Sequence, residues 1–535
     1  MKLDNRMALI VAWICIGAAV SVAARPNILI AIADDQSYPH ASAYGTAAIQ
    51  TPAFDQVAKS GILFRNAFTP APGCSPMRAA FLTGREIWQI REAGTHASYF
   101  PPDLPVFTDQ LSDHGYHVGM TGKGWSPGSA RGWPHNPAGK AYSDRKMETP
   151  TGIRNTDYAA NFSDFLKERP SGQPFCFWFG CSEPHRDYDR GIGKRNGIDP
   201  DQIELPGFLP DSDEVRSDVA DYMFEIEWFD SHLQRMLDEL QRAGELDNTL
   251  VIVTSDNGMP FPRAKANLYE YGIHMPLAIS WPAMIPAGQD NDDLVSLIDV
   301  TQTIFHAAEV APKQADQMPG RSLLGHYSNL SDEIASPRDG VFSGRERHSS
   351  SRFRSLGYPC RCIRTKTHLY IRNFTPERWP AGAAQKFDKA KYDGDGNLIQ
   401  SQLGDALGGF HDIDNGPTLQ WMIANRDQTN VAQLLAAAVD LRPSEELYDI
   451  QRDPACLENL SEEPSAKEIK ADLASRLTEY LTQTGDLRQT DPKAANVWET
   501  YPRLSSLRWF PIPDWARDHP DLVPQQDWLE KRRPR

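Results

Sequence analysis

No apolar run in this chain of 535 residues is long enough to make a comfortable membrane span. The nearest approach, Met7 to Val20, follows Lys2 and Arg6 and precedes the small residues Val22-Ala23-Ala24. A bilayer needs about 20 apolar residues, so residues 1–24 read as a cleaved export signal that leaves no stable span behind and sends the chain to a secreted or periplasmic location. Positive charge is scarce as well: 55 Lys and Arg face 71 Asp and Glu, for a formal net charge of −16. That balance argues against nucleic acid as a partner, and any anionic substrate has to be met by a local cluster of cations. Cysteine is limited to seven residues, none at a convincing zinc-ligand spacing. Cys176 and Cys181 are a candidate bridge in an oxidising compartment, whereas Cys360 and Cys362 lie too close in sequence to pair with each other. Internal repeats and heptads are also missing.

What remains is an ordinary globular composition, 40% apolar and 10% aromatic, able to fill a large core. Asn27 to Ala33 is a near-continuous apolar run of the kind that a strand buried on both faces needs, and it stops at Asp34-Asp35. Thr51, Pro52 and Gly61 mark the start and stop of a helix. Further strands are expected at His117–Thr121, Phe175–Phe179 and Thr249–Thr254. A long helix precedes the last of these, with Val219, Met223, Ile226, Leu233, Leu237 and Leu240 on one stripe and Gly244 beyond its end. Alternating strands and helices predict an α/β domain over residues 25–340 built on a mostly parallel sheet. From residue 341 to 535 the short strand candidates Leu369–Arg372 and Leu447–Ile450 flank a stretch rich in Gly, Asn and Pro between Pro376 and Pro417. This predicts a smaller α+β domain whose long loops roof the site. The basic end Lys531-Arg532-Arg533-Pro534-Arg535 reads as solvated.

The strands deliver chemistry at their carboxyl ends, where open α/β sheets bind ligands. Asp34-Asp35 follows the first, Lys123 the second, His185 the third and Asp256-Asn257 the fourth. Asp34, Asp35, Asp256 and Asn257 are hard oxygen donors, a set that suits calcium better than zinc, with magnesium as the less favoured alternative. His185 is of the residue type that titrates near neutrality and can serve as an acid.

The segment Cys74-Ser75-Pro76-Met77-Arg78, followed by Leu82-Thr83-Gly84-Arg85, resembles the signature of the type I sulfatases. The resemblance implies an alkaline-phosphatase-like large domain with helices flanking the sheet, and a smaller C-terminal domain with an antiparallel sheet. It implies that a formylglycine-generating maturation enzyme oxidises Cys74, whose hydrated aldehyde then attacks sulfur and later expels sulfate. It further places Asp34, Asp35, Asp256 and Asn257 on one divalent cation beside the modified Cys74. Arg78 would orient the nucleophile, Lys123 and Lys265 would hold the sulfate, and His185 would protonate the leaving group. Leu63 to Thr69, Thr254 to Pro262 and Asn267-Leu268-Tyr269 are most similar to the heparan N-sulfatase (sulfamidase) branch, which implies a sulfated glucosamine-type sugar bearing N- or O-sulfate. One departure stands out: the family's histidine two positions after the first sulfate-binding lysine is Trp125 here, and His135 is the candidate to replace it as base. Arg186, Arg345, Arg347 and His348 are candidate glycan contacts. Two other readings use the same residues, a phosphomonoester or phosphodiester hydrolase on the same scaffold and a sulfated-glycan-binding protein without catalysis.

Overall fold

The computed structural model describes residues 25–326, 337–388, 391–392, 398–400, 402–505 and 507–517. The expected leader (1–24) and the basic end (531–535) lie outside the described residues. Among the described residues, no helix is long and apolar enough to cross a membrane.

The run that opens the chain forms strand β1 (Asn27–Ala33) and is buried throughout. Its two faces serve two cores: Ile28, Ile30 and Ile32 pack into one, Leu29, Ala31 and Ala33 into the other. A strand covered on both sides has to be apolar at every position, which is why its sequence does not alternate. The predicted helix follows at Pro52–Ser60, although the Thr51 side chain makes no cap hydrogen bond and instead joins Ser42. Gly61 ends it, and a Cβ there would lie 2.1 Å from the Ile279 carbonyl oxygen, so only glycine lets the chain enter the next strand.

The large sheet contains, in chain order, β1, β2 (Ile62–Phe68), β3 (His117–Gly122), β4 (Lys140–Ala141), β5 (Phe175–Gly180), β6 (Thr249–Ser255), β7 (His274–Ser280) and β8 (Gln289–Ser296). Their spatial order is β4-β3-β5-β1-β6-β7-β2-β8. Pairings are parallel except where β7 meets β6 and β2, so a single reversed strand interrupts an otherwise parallel sheet. The long amphipathic helix is Asp213–Ala243; the Ser212 side chain caps it by accepting from the Val215 amide, and Gly244 closes it at φ 69°. Every residue of the expected stripe is buried in it.

A second, antiparallel sheet places Glu445–Asp449 beside β11 (His368–Asn373), then β10 (Cys360–Arg364) and β9 (Val341–Arg345). This sheet leans on the loop that leads to Cys74: the Ser343 hydroxyl donates to the Thr69 carbonyl at 2.6 Å, and the Gly344 amide donates to Pro70 at 3.0 Å. Arg364 forms a buried fork with Glu270, both bonds at 2.8 Å, just beyond Lys265. The smaller sheet thus buttresses two of the loops that carry the candidate chemistry.

The expected Cys176–Cys181 bridge is not formed; both are free and buried. Five positions apart along an extended segment, they face opposite sides of the sheet, Cys176 in one core and Cys181 in the other. Alkylation of the unreduced, denatured protein is therefore expected to label both thiols. Recovery of a disulfide-linked peptide containing both would contradict this arrangement.

Candidate active site

Cys74 is the first residue of the Cys74–Thr83 helix, all of which is buried, and Gly73 is its N-cap. The Cys74 Sγ lies 3.5 Å from Asp34 Oδ1 and 4.0 Å from Asp35 Oδ1. Burial pushes its thiol well above the ordinary range, against the pull of Lys123, so an unmodified cysteine here is a poor nucleophile.

Asp34 and Asp35 leave β1 together, and Asp256 and Asn257 leave the adjacent β6. Because the two strands are parallel and in register, Ala33 opposite Ser255, the two pairs emerge side by side. Asp35 adopts φ 77°, which turns its amide toward Asp256 Oδ1 at 3.1 Å. The Asn257 amide nitrogen reaches Asp35 Oδ1 at 2.6 Å, while its own Oδ1 is buried without a hydrogen-bond partner. Ligand atoms of Asp34, Cys74 and Asp256 all lie within 4.8 Å of one another. A buried cluster of carboxylate and amide oxygens, one of them unsatisfied, fits a hard divalent cation of the calcium type.

Three permanent cations surround this cluster. Arg78, one turn along the helix from Cys74, donates through Nε to Asp256 at 2.8 Å and through Nη1 to the Lys123 carbonyl at 2.6 Å. Its Nη2 is buried and without a partner. Lys123 reaches Asp34 at 2.5 Å. Lys265 bridges Asp35 at 2.6 Å and Asp414 at 2.7 Å. Its loop is fixed by Ala266, at φ 62°, whose amide donates to the Pro72 carbonyl at 2.8 Å. Burial would raise the Asp34 carboxyl, but Lys123, then His185, Arg78 and Lys265, hold it well below the usual carboxylate range. Burial prevails at Asp35, which is raised, and at Asp256, pushed up to about 6 despite Arg78.

His185 stands at the mouth, its side chain 36% exposed, with Nε2 3.9 Å from Asp35 Oδ2. Its Nδ1 lies 2.6 Å from the Arg186 carbonyl oxygen. A carbonyl only accepts, so Nδ1 carries a proton and Nε2 is the nitrogen that faces the site.

Five other expected residues have their side chains engaged elsewhere. His135 does not join the Cys74 cluster: Nε2 is 3.5 Å from Asp109, and it lines a surface cleft with Trp133 and Lys313. Arg186, Arg345 and Arg347, expected as sugar contacts, are buried against protein partners. Arg186 forks onto Asp218 with both bonds at 2.7 Å, Arg345 pairs with Asp412, and Arg347 donates to the Tyr501 and Pro502 carbonyls at 2.6 and 2.9 Å. His348 is buried, stacks on His96 with ring centroids 4.5 Å apart, and packs against Gly73, where a Cβ would lie 3.0 Å from its Nδ1. Burial lowers it to about 3, so it is neutral. Trp125 is buried, and its indole N–H donates to the Ser75 carbonyl at 3.0 Å; an indole offers no acceptor and cannot serve as a base.

One residue was missed from sequence. Asp414, in the stretch between Pro376 and Pro417, lies with Asp35 and His185 so that their ligand atoms are within 4.8 Å. The only signal was the alternation His411-Asp412-Ile413-Asp414, which has no motif around it.

Comparison with known proteins agrees with this geometry. The family model described as Sulfatase matches residues 26–310, more than half of the 535. The human N-sulphoglucosamine sulphohydrolase is 27% identical over 505 residues, covering 86% of this chain and 91% of that protein. An ulvan-active sulfatase of Formosa agariphila is 26% identical over 479 residues, covering 87% and 82% respectively. Among solved structures, a protein in complex with its substrate D-glucosamine-2-N,6-O-disulfate superposes with a TM-score of 0.60 at 19% identity, covering 87% of this chain and 99% of its own. The phosphonate monoester hydrolase of Agrobacterium radiobacter does so with a TM-score of 0.60 at 15% identity, covering 86% and 96%. The signature around Cys74, the oxygen cluster beside it and the family match over the large domain establish that the chain belongs to the sulfatase family of sulfuric ester hydrolases.

Proposed function

We propose that this sulfatase is exported and removes N- or O-linked sulfate from a glucosamine-type carbohydrate, using formylglycine made from Cys74 and one bound calcium ion. The observation that carries this reading is the junction at Cys74, where four hard donors (Asp34, Asp35, Asp256 and Asn257) and three cations (Arg78, Lys123 and Lys265) converge on one buried side chain. The sugar is supported by the human relative that is named for N-sulphoglucosamine and by the solved neighbour bound to a sulfated glucosamine.

A hydrated formylglycine supplies one hydroxyl to attack sulfur and a second whose deprotonation releases sulfate, which an unmodified serine or cysteine cannot do. Asp34, Asp35, Asp256 and Asn257 would hold a calcium ion, which would supply positive charge to stabilise the sulfuryl group and favour deprotonation of the attacking hydroxyl. The chain's own side chains do the rest. Lys123 and Lys265 each have three donors and engage carboxylates with one or two of them, so each retains capacity for a sulfate oxygen. Arg78, buried and clamped by Asp256 and two carbonyls, presents a rigid charge to residue 74. His185 holds Nε2 toward the site and donates its proton to the departing oxygen or nitrogen, so that a neutral alcohol or amine leaves. Trp125, buried with its indole N–H on the Ser75 carbonyl, offers no base at this position.

The fold neighbour that hydrolyses phosphonate esters keeps a phosphoryl-transfer reading open, because sulfate and phosphate esters present similar tetrahedral oxyanions. The matured, calcium-loaded protein is expected to release inorganic sulfate from aryl sulfate and from sulfated glucosamine with higher kcat/KM than it releases phosphate from aryl phosphate. The Cys74 peptide should carry an aldehyde by mass spectrometry, and Cys74→Ala should lower kcat by about a thousand-fold or more. Failure of matured enzyme to free sulfate from any of these compounds would sink the proposal. Chelation is expected to abolish turnover, with calcium restoring it better than magnesium. Asn257→Ala should raise the calcium concentration needed for half-maximal thermal stabilisation; an unchanged calcium titration of the melting temperature would remove Asn257 from the metal site.

A further inference from the structure

Asp414 reaches the catalytic pocket from the second domain, and several buried contacts fix the segment that carries it. On one side Asp412 accepts from Arg345, from Arg352 at 2.7 Å and from the Ser349 amide at 2.9 Å. On the other, Thr418 donates through its amide at 3.1 Å and its hydroxyl at 2.6 Å to Asp218, which also accepts the Arg186 fork. Between these anchors Gly416 runs so close to Arg186 that a Cβ would lie 2.5 Å from Nη1. Arg186 and Arg345, two of the arginines expected to touch sugar, therefore act at one remove, as fixings for the segment between residues 412 and 418. The side chain left pointing at the pocket between those fixings is Asp414.

Its environment defines its chemistry. Oδ2 accepts from Lys265 at 2.7 Å, and the side chain is 28% exposed, whereas Lys265 is 3% and Asp35 0% exposed. Of the two carboxylates on Lys265, Asp414 is thus the one a ligand can reach. A carboxylate has about four lone-pair positions, so the bond to Lys265 leaves acceptor capacity toward the opening. It stands beside His185, the group that faces the atom leaving with the sugar, and so beside the sugar carbons next to the scissile bond. The ion pair with the Lys265 ammonium holds Asp414 as a carboxylate, a negative charge at the opening of the site. A fixed carboxylate accepts a hydrogen bond from a hydroxyl or amine and repels a second sulfate.

We propose that Asp414 is a specificity-determining residue that accepts a hydrogen bond from a hydroxyl or amine on a sugar carbon adjacent to the cleaved sulfate and excludes substrates sulfated at that adjacent position. This rests on the sulfatase reading of the Cys74 site and deepens it by naming the substrate class: sugars whose cleaved sulfate has uncharged or cationic donors as its neighbours.

The test uses matured holoenzyme and three sulfated glucosamines for whichever position is cleaved, with the neighbouring carbon bearing a hydroxyl or amine, a hydrogen, or a second sulfate. For the wild type, kcat/KM is expected to fall about 10- to 100-fold from the first to the second, the size of a hydrogen bond to a charged group, and further for the third. Asp414→Asn is expected to compress the ratio between the first and third compounds to within about 5-fold, because the amide keeps the shape but loses the repulsion. Equal wild-type efficiency on all three, or an unaltered ratio in Asp414→Asn, overturns the inference while leaving the sulfatase reading intact. Absence of sulfate release from every sugar and aryl sulfate is the distinct outcome that removes the sulfatase reading itself. Should Asp414→Asn not fold, the wild-type series alone decides.

Discussion

The mutual repulsion of carboxylates gathered at the ends of two neighbouring strands is the constraint on which the rest of this structure depends. Asp34, Asp35 and Asp256 are at most 2% exposed, and burying an ion without compensation costs several kcal/mol. The chain meets that cost with Arg78, Lys123 and Lys265, each tied to one member of the cluster, and leaves the Asn257 side-chain Oδ1 unsatisfied in its midst. With Asp414 included, four carboxylates face three permanent cations, a balance that does not favour an incoming sulfate. A bound divalent cation would reverse the sign and make the same pocket attractive to an anion, in a protein whose overall charge is strongly negative.

Holding such a site still requires support beyond the catalytic strands, and the second domain provides it through buried arginines. Arg361 joins Glu346 and Asp486 with bonds of 2.7 Å, Arg364 joins Glu270, and Arg345 with Arg352 joins Asp412. Guanidinium groups suit this use because their charge persists at every working pH and their fork holds a carboxylate in one orientation. The loop carrying Lys265 and the segment carrying Asp414 are braced this way, while the loop leading to Cys74 is held by the Ser343 hydroxyl and the Gly344 amide. The two sheets therefore act as one frame around the site, although only the larger carries Asp34, Asp35, Asp256 and Asn257 at its strand ends.

Trp125 is a packing residue at the start of the Cys74 helix. Its indole caps the Ser75 carbonyl at the start of the Cys74 helix and meets Phe100 edge-on with ring centroids 5.2 Å apart. His96 and His348, stacked and neutral beside Gly73, occupy the neighbouring wall.

Local pattern alone determined much of this protein. The doubly buried β1, the strands that deliver Lys123, His185 and Asp256, the long helix with its Ser212 and Gly244 caps, and the Cys74 signature are written in contiguous residues, because strand burial, capping and the modification motif act over short range. Tertiary structure decided the rest. Which arginines are free depends on partners more than thirty residues away, Asp218 for Arg186 and Asp412 for Arg345, so a charged run such as Gly344 to His348 could not disclose that it is interior. The separation of Cys176 from Cys181 follows from the pleat, which turns residues an odd number of places apart to opposite cores. Asp414 became part of the site only because a loop from the second domain is pinned at 412 and 418, a placement set by long-range charge pairing that no local spacing encodes.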